Sequence, residues 1–179
     1  MIRFTGTYTD LYELTMAQVY YYEGLYTKQA TFDYFFRNLP YDGGFAIFCG
    51  LEDLLDILEN LEFTKEDIDY LYSIGFKKEF LEYLKNFRFN GTIYSCYEGQ
   101  IVFPLESVLQ VEGNLVEAQI IETLLLNILN FETLIATKAA RISYIAQNTS
   151  SCRFWFKTCS GSRWILCYKS YNGRWLSFY

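Results

Sequence analysis

The longest run of helix-forming residues in the chain extends from Leu115 to Arg141 and contains neither Gly nor Pro. Its apolar residues recur at spacings of one, three and four positions, which gives a stripe too wide for a helix with one solvated face. The residues of this stripe are Ile120, Ile121, Leu124, Leu125, Ile128 and Leu129. The pattern therefore predicts a helix that is buried on most sides.

Polar residues predict where this helix begins and where it is interrupted. Asn114 precedes the run and Glu117 follows three positions later, a spacing typical of an N-cap with a reciprocal carboxylate. Asn127 and Asn130 interrupt the apolar stripe, so we expect a second helix to begin near Phe131. On the pattern alone, the helix pair is a core element without a catalytic role.

Four shorter helices are predicted in the first half of the chain. The first begins at Thr9 or Asp10, either of which can cap it, and fades by Gly24. Its partial apolar face consists of Leu11, Leu14 and Val19. The other three are predicted over Leu51–Glu59, Lys65–Ile74 and Lys77–Asn86. Thr64 and Asp67 have the spacing of a capping box at the start of the third helix.

Short alternating segments bounded by Gly, Pro or Glu-rich turns predict strands between these helices. In the first of them, the side chains of Phe32, Tyr34 and Phe36 lie on one side. The predicted strands are Thr31–Arg37, Phe45–Cys49, Gly91–Cys96, Gln100–Phe103 and Ser107–Val111, with turns at Asn38–Pro40 and Asp42–Gly44. Small sheets beside helices indicate the α+β fold class.

Composition narrows the class of protein. A length of 179 residues is sufficient for one domain with a real core, and 51% apolar and 20% aromatic residues exclude disorder for the body of the chain. No apolar run approaches the roughly 20 residues that span a bilayer, and Met1–Asp10 lacks the pattern of a signal peptide. We therefore expect a cytoplasmic protein with neither a membrane nor a nucleic acid as its partner.

The composition changes sharply near residue 152. The segment Cys152–Tyr179 holds five of the 15 basic residues, none of the 21 acidic residues and all three Trp. A break of this kind marks a boundary in the chain.

The residues that could carry chemistry are few. The sequence has no His, no Gly-rich phosphate loop and no pair of Cys at zinc-binding spacing, so it predicts neither a metal site nor a catalytic residue. Asp10 and Tyr12, two positions apart at a helix start, are candidate binding residues, although a cap and a core aromatic would give the same pattern. Arg37 is either an anion ligand or a surface charge.

Three segments resemble the N-terminal part of nicotinate phosphoribosyltransferase. They are YTDLYELTMAQVYY, FDYFFRNLPYDGGFAIFCGLEDLL and EGNLVEAQIIETLLLNILNFETLIATKAARI, and they occur in the family's order from about Tyr8 to Ile142. The resemblance implies an enzyme that joins nicotinate to phosphoribosyl pyrophosphate. The product, nicotinate mononucleotide, is used for NAD salvage, and ATP hydrolysis with Mg²⁺ assists through a phosphorylated His. Both transferase and ligase descriptions apply to this chemistry.

The resemblance also implies an architecture. Type II phosphoribosyltransferases have an N-terminal helix-plus-small-sheet module packed on an α/β barrel, and they commonly form homodimers with an active site at the subunit interface. The module would occupy residues 1–141, and residues 142–151 would begin the barrel. By this resemblance, Tyr12 stacks on the pyridine ring of a substrate in the neighbouring subunit, and Asp10 lies beside it.

Residues 152–179 do not continue the resemblance. Codons permitted for Cys152–Lys157, read one base later, encode Val-Asp-Phe-Gly-Leu, and permitted codons extend a family-like string as far as Phe178. We therefore expect 152–179 to be an aberrant out-of-frame tail and this chain to be an inactive fragment. The helices of 115–142 would then expose apolar surface that the barrel would otherwise cover.

A different class of function stays open on the sequence. The aromatic residues Tyr20, Tyr21, Tyr22 and Tyr26 are clustered, and such a cluster is also expected in a non-catalytic interaction or dimerisation module.

Overall fold

A computed structural model describes residues 4–39 and 43–146, together with two short strands near the C-terminus. The helices are α1 Leu11–Tyr22, α2 Leu51–Glu59, α3 Lys65–Ser73, α4 Lys78–Lys85, α5 Leu115–Ile120 and α6 Glu122–Ala146. The strands are β1 Gln29–Phe35, β2 Ala46–Ile47, β3 Thr92–Ser95, β4 Ile101–Val102, β5 Ser107–Asn114, β6 Tyr168–Lys169 and β7 Trp175–Leu176. Helices packed on small antiparallel sheets confirm the α+β class.

The central sheet has the strand order β1-β5-β3, and both pairings are antiparallel. Tyr34 pairs with Leu109, after which a bulge shifts the register, so that Phe35 pairs with Ser107. Tyr34 and Phe36 are buried, whereas Phe32, on the same face two residues before Tyr34, is 39% exposed. The three aromatic residues thus share one side of the strand, as predicted, but only two of them are buried.

Two buried threonines of α6 hold the short strand β2. Thr137 Oγ1 accepts a hydrogen bond from Ile47 N at 2.9 Å and donates to Thr133 O at 2.6 Å. Thr133 Oγ1 accepts from Cys49 N at 3.1 Å and donates to Cys49 O at 3.2 Å. β2 pairs with β4 on its other side. The threonine hydroxyls therefore form hydrogen bonds with backbone groups that have no partner strand.

The interruption in the long helix is not where the sequence predicts it. The helix breaks at Ile121, between α5 and α6, whereas Phe131 lies within α6 and is exposed. Asn130 Oδ1 instead accepts a hydrogen bond from the Tyr34 hydroxyl at 2.9 Å. Because its side chain is engaged by Tyr34, Asn130 does not compete for the helix backbone. The helix is continuous here, so the expected second start near Phe131 is wrong.

The capping box predicted at Asn114 does not form. Asn114 occupies the N-cap position of α5, but its side chain donates to Glu117 Oε1 at 2.8 Å and makes no cap hydrogen bond. Glu117 Oε2 accepts from Asn90 N at 2.9 Å. The carboxylate is thus used to hold the loop before β3. By contrast, the box formed by Thr64 and Asp67 at α3 is confirmed.

The helix pair α5–α6 is largely buried by the module itself. Its core residues include Val116, Ile120, Ile121, Leu124, Leu125 and Leu129. Exposed apolar side chains on α6 are Leu126, Phe131, Tyr144 and Ile145. The apolar surface that a barrel would otherwise cover is therefore limited to these positions and does not extend over the whole helix pair. Residue 141, the predicted end of the module, lies inside α6, and residues 147–151 and most of the predicted tail lie outside the described residues.

The outward face of α1 is apolar, contrary to the predicted pattern. Leu11 and Val19 are 56% and 57% exposed, whereas Glu13 is fully buried beside Leu14 and Ala17. The predicted face is therefore correct only for Leu14. A carboxylate occupies the core side of the helix because α5 provides a polar partner there.

A second carboxyl group, Glu132 of α6, is largely buried next to β2 and α2. Burial raises the pKa of Glu132 to about 8, and hydrogen bonding to Asp53 and the charges of Asp53 and Glu98 act in the same direction. Glu98 Oε1 itself accepts hydrogen bonds from Gly50 N at 2.8 Å and Leu51 N at 2.6 Å at the start of α2. Burial thus favours the protonated form of Glu132 towards neutral pH.

Replacing Thr137 tests the threonine contacts to β2. We expect Thr137→Val to lower the free energy of unfolding by about 1–3 kcal/mol, because the Ile47 N–H loses its acceptor in a partly buried site. Thr15→Val on the exposed side of α1 is the control, expected to cost less than about 0.5 kcal/mol. Equal losses for both variants in urea denaturation would contradict the assignment.

The protonation of Glu132 predicts a pH-dependent stability. Its pKa is higher in the folded state, so its contribution is complete below the ordinary glutamate value and is lost as the pH rises towards 8. We expect Glu132→Gln to remove a decline on the order of 2 kcal/mol between pH 5 and 8, after allowance for partial solvent access. Chemical denaturation at each pH measures it, with Glu59→Gln, at an exposed position, as the control. A parallel decline in wild type and Glu132→Gln would exclude Glu132 as its source.

Candidate substrate-binding site

The first candidate residue, Asp10, lies at the N-cap of α1 and is fixed by α6. Its side chain makes no cap hydrogen bond to the helix. Thr123 Oγ1 instead donates to Asp10 Oδ2 and accepts from Asp10 N, each at 3.2 Å. Asp10 therefore anchors the start of α1 on the start of α6, which ordinary capping would not do.

The second candidate residue, Tyr12, is in the first turn of α1 and presents its side chain to solvent. It is 53% exposed, so the alternative of a core aromatic is excluded by the structure. Hydrogen bonding to Glu13, followed by desolvation and the charges of Glu13, Glu122 and Asp10, raises the pKa of Tyr12 to about 12. The phenol therefore stays neutral at physiological pH, and its ring is available for stacking on a planar ligand.

Glu13 lies between these residues and the core, a position that the sequence pattern did not single out. Its side chain is fully buried, and Oε2 accepts a hydrogen bond from Gln119 Nε2 of α5. Although Tyr12 influences the protonation of Glu13, no described group meets Glu13 Oε1 in full hydrogen-bond geometry. The spacing of Glu13 with Ala17, one helical turn apart on the buried side, is the signal that could have identified it.

Arg37 is exposed on the segment that follows β1. An open groove of about 300 Å³ lies near this segment and is lined by Phe36, Asn38, Leu39, Ala46, Asn130, Thr133 and Leu134. Arg37 is not one of the lining residues. The structure thus brings Asp10 and Tyr12 together with Glu13 and Thr123, and it does not bring Arg37 into a described cavity.

Neither a metal cluster nor a membrane span is found in the part of the chain that the structure describes. No three His, Cys, Asp or Glu side chains of residues 4–39 and 43–146 are grouped so as to hold a metal ion. None of the helices in these ranges combines the length and the hydropathy that a bilayer crossing requires.

Comparison with known proteins gives a consistent result. Residues 7–130 match the family model of the nicotinate phosphoribosyltransferase (NAPRTase) N-terminal domain. The chain is 47% identical over 136 residues to a nicotinate phosphoribosyltransferase of Bacillus subtilis, covering 75% of this chain and 28% of the relative. A Caenorhabditis elegans protein of the same name is 43% identical over 137 residues, covering 74% of this chain and 24% of that protein.

A solved structure agrees with the sequence matches. The crystal structure of human nicotinic acid phosphoribosyltransferase superposes with a TM-score of 0.74 at 35% identity, covering 79% of this chain and 29% of that chain. The chain thus spans less than a third of the length of these relatives. Since the family model includes α1, the central sheet, α5 and the first part of α6, the chain belongs to the nicotinate phosphoribosyltransferase family.

Proposed function

We propose that this chain represents the N-terminal module of an enzyme that joins nicotinate to phosphoribosyl pyrophosphate, giving nicotinate mononucleotide and pyrophosphate. The observation that carries the proposal is the exposed ring of Tyr12 at a helix start anchored by Asp10 and Thr123. A fixed aromatic ring open to solvent suits stacking on a pyridine. In this role Tyr12 contacts the substrate, and Asp10 positions the turn that carries it.

The proposed enzyme is a homodimer in which Tyr12 reaches the substrate of the neighbouring subunit. The apolar outward face of α1 supports this arrangement, because Leu11, Met16 and Val19 are exposed on the same helix as Tyr12. Apolar side chains grouped on one helix face are typical of a surface that packs on further protein. We also propose that this enzyme is cytoplasmic.

The module does not perform the reaction by itself in this proposal. Phosphoribosyl transfer requires groups that hold the pyrophosphate and stabilise the developing ribosyl cation. The implied ATP and Mg²⁺ do not fit the described residues, because these provide no clustered metal ligands and the sequence has no His to phosphorylate. In the proposed enzyme, the groups that bind ATP and Mg²⁺ therefore lie outside the described residues.

The alternative of an aromatic interaction module is less well supported. Tyr21 packs against Phe80 and Tyr83, with ring centroids 5.8 Å and 5.2 Å away. Tyr20 is also partly buried against the core. Tyr22 and Tyr26 are exposed, although the Tyr22 hydroxyl donates to Glu79 within the module. The tyrosine cluster is therefore partly used for internal packing.

We also propose that residues 152–179 are translated out of frame. The support is the family-like string in the shifted frame, together with the change in charge and Trp content at residue 152. Sequencing the gene across the codons for Asn148 to Cys152 tests this directly. We expect one base to be gained or lost there relative to active relatives. An intact frame shared residue for residue by close relatives would contradict the proposal.

The proposed activity predicts a contrast between two polypeptides. We expect the purified 179-residue chain to form no nicotinate mononucleotide, and the product of the frame-restored gene to form it. In the restored enzyme, Tyr12→Ala is expected to lower kcat/KM for nicotinate about 10-fold through loss of stacking, whereas Tyr12→Phe retains the ring and most of the activity.

Tyr70→Ala is the matched control, since Tyr70 is an equally exposed tyrosine on α3. Product formation by the 179-residue chain would exclude the inactive-fragment proposal. Equal activities for Tyr12→Ala and Tyr70→Ala would exclude the role of Tyr12.

A further inference from the structure

The side chain of Glu13 is the one fully buried carboxyl group at the junction of α1 with α5 and α6 in the described part of the chain. It accepts one hydrogen bond of full geometry, from Gln119 Nε2 to its Oε2, and the Tyr12 hydroxyl makes a looser contact with the carboxyl group. Its other oxygen, Oε1, is buried and has no partner in hydrogen-bond geometry. A carboxylate normally accepts several hydrogen bonds, so this site provides fewer than the charged form requires.

The groups around Glu13 further disfavour its charged form. Gln119 Nε2 is also 3.4 Å from Glu122 Oε2, so one amide serves carboxyl groups of both α1 and α6. The titratable groups that act on Glu13 are Asp10 and Tyr12 from the α1 side and Glu122 from α6. Two of these three groups are acidic, and they oppose a negative charge on Glu13.

The protonated, neutral form of Glu13 fits this geometry better than the ionised form does. With the proton on Oε1, Oε2 still accepts from Gln119, and no charge is buried without compensation. Burial raises the pKa of Glu13 to about 7, the contact with Tyr12 opposes this increase, and Glu122 and Asp10 support it. Protonation and ionisation are therefore both accessible near physiological pH.

We propose that Glu13 is a positioning residue whose proton holds the Asp10–Tyr12 turn against α5 and α6, and whose ionisation loosens that turn. Release of the proton to solvent leaves a buried negative charge facing Glu122 and Asp10. Relief of this charge requires water to enter the junction, which displaces the first turn of α1. Tyr12, the adjacent residue, is then less well fixed.

The inference deepens the proposed function, on which it rests for the statement that Tyr12 contacts substrate. The displacement itself is a property of the chain and is measured without substrate. A pH titration of the ¹⁵N-labelled 179-residue chain by NMR therefore tests it separately from any transferase activity.

We expect the backbone amide signals of Tyr12 and Thr123 to shift together, with a midpoint near pH 7. Glu13→Gln keeps an acceptor for Gln119 and cannot ionise, so these signals should remain at their low-pH positions throughout. Glu122→Gln removes a neighbouring charge and should lower the midpoint by about half a pH unit. Glu23→Gln, at an exposed residue following α1, should titrate as the wild type does.

An unchanged midpoint in Glu13→Gln would overturn the proposal, as would wild-type signals that do not move between pH 6 and 8. If Glu13→Gln fails to fold, Glu122→Gln decides the matter, because a midpoint equal to that of the wild type would exclude Glu13 as the titrating group. Absence of activity in the frame-restored enzyme would leave the titration result intact. Failure of the titration would likewise leave the role of Tyr12 in stacking untouched.

Discussion

The docking of other elements onto the buried helix pair α5–α6 is the interaction on which the rest of the structure depends. Leu124 and Leu129 contribute to the core, while Thr133 and Thr137 satisfy backbone groups of β2 and the residues after it. Thr123, nearer the start of the same helix, holds Asp10. The buried sides of α6 therefore provide both apolar burial and specific polar contacts, and the polar contacts determine where β2 and α1 lie.

Buried carboxyl groups are a second consequence of this arrangement. Glu13 and Glu132 lie at two junctions with the helix pair, and both have raised pKa values because burial disfavours their charged forms. Near neutral pH these groups retain protons to a greater extent than the same residues would in an unfolded chain. The stability of the module is thereby linked to pH through contacts between elements, rather than through surface ion pairs.

The position of the candidate site follows from the same contacts. Tyr12 is exposed because Glu13, its neighbour, occupies the side of α1 that faces the core. With Glu13 turned inward, the apolar residues Leu11 and Val19 face outward together with Tyr12. An N-terminal module with an aromatic residue and an apolar helix face directed outward is suited to completing a site in combination with further protein.

The sequence by itself determined the α+β class, the bounds of α2, the capping box of α3 and the burial of the helix pair. It also contained the segments that identify the family. These features depend on local spacing and local hydrogen bonds, which are properties of neighbouring residues in the chain. The break at Ile121, the partner of Asn130 and the inward position of Glu13 were decided only by the tertiary structure. Asn130 and Glu13 each have a polar partner far away in sequence, and this hydrogen bond outweighs the local preference of the residue. The break at Ile121 lies within an apolar run whose local spacing predicts continuous helix.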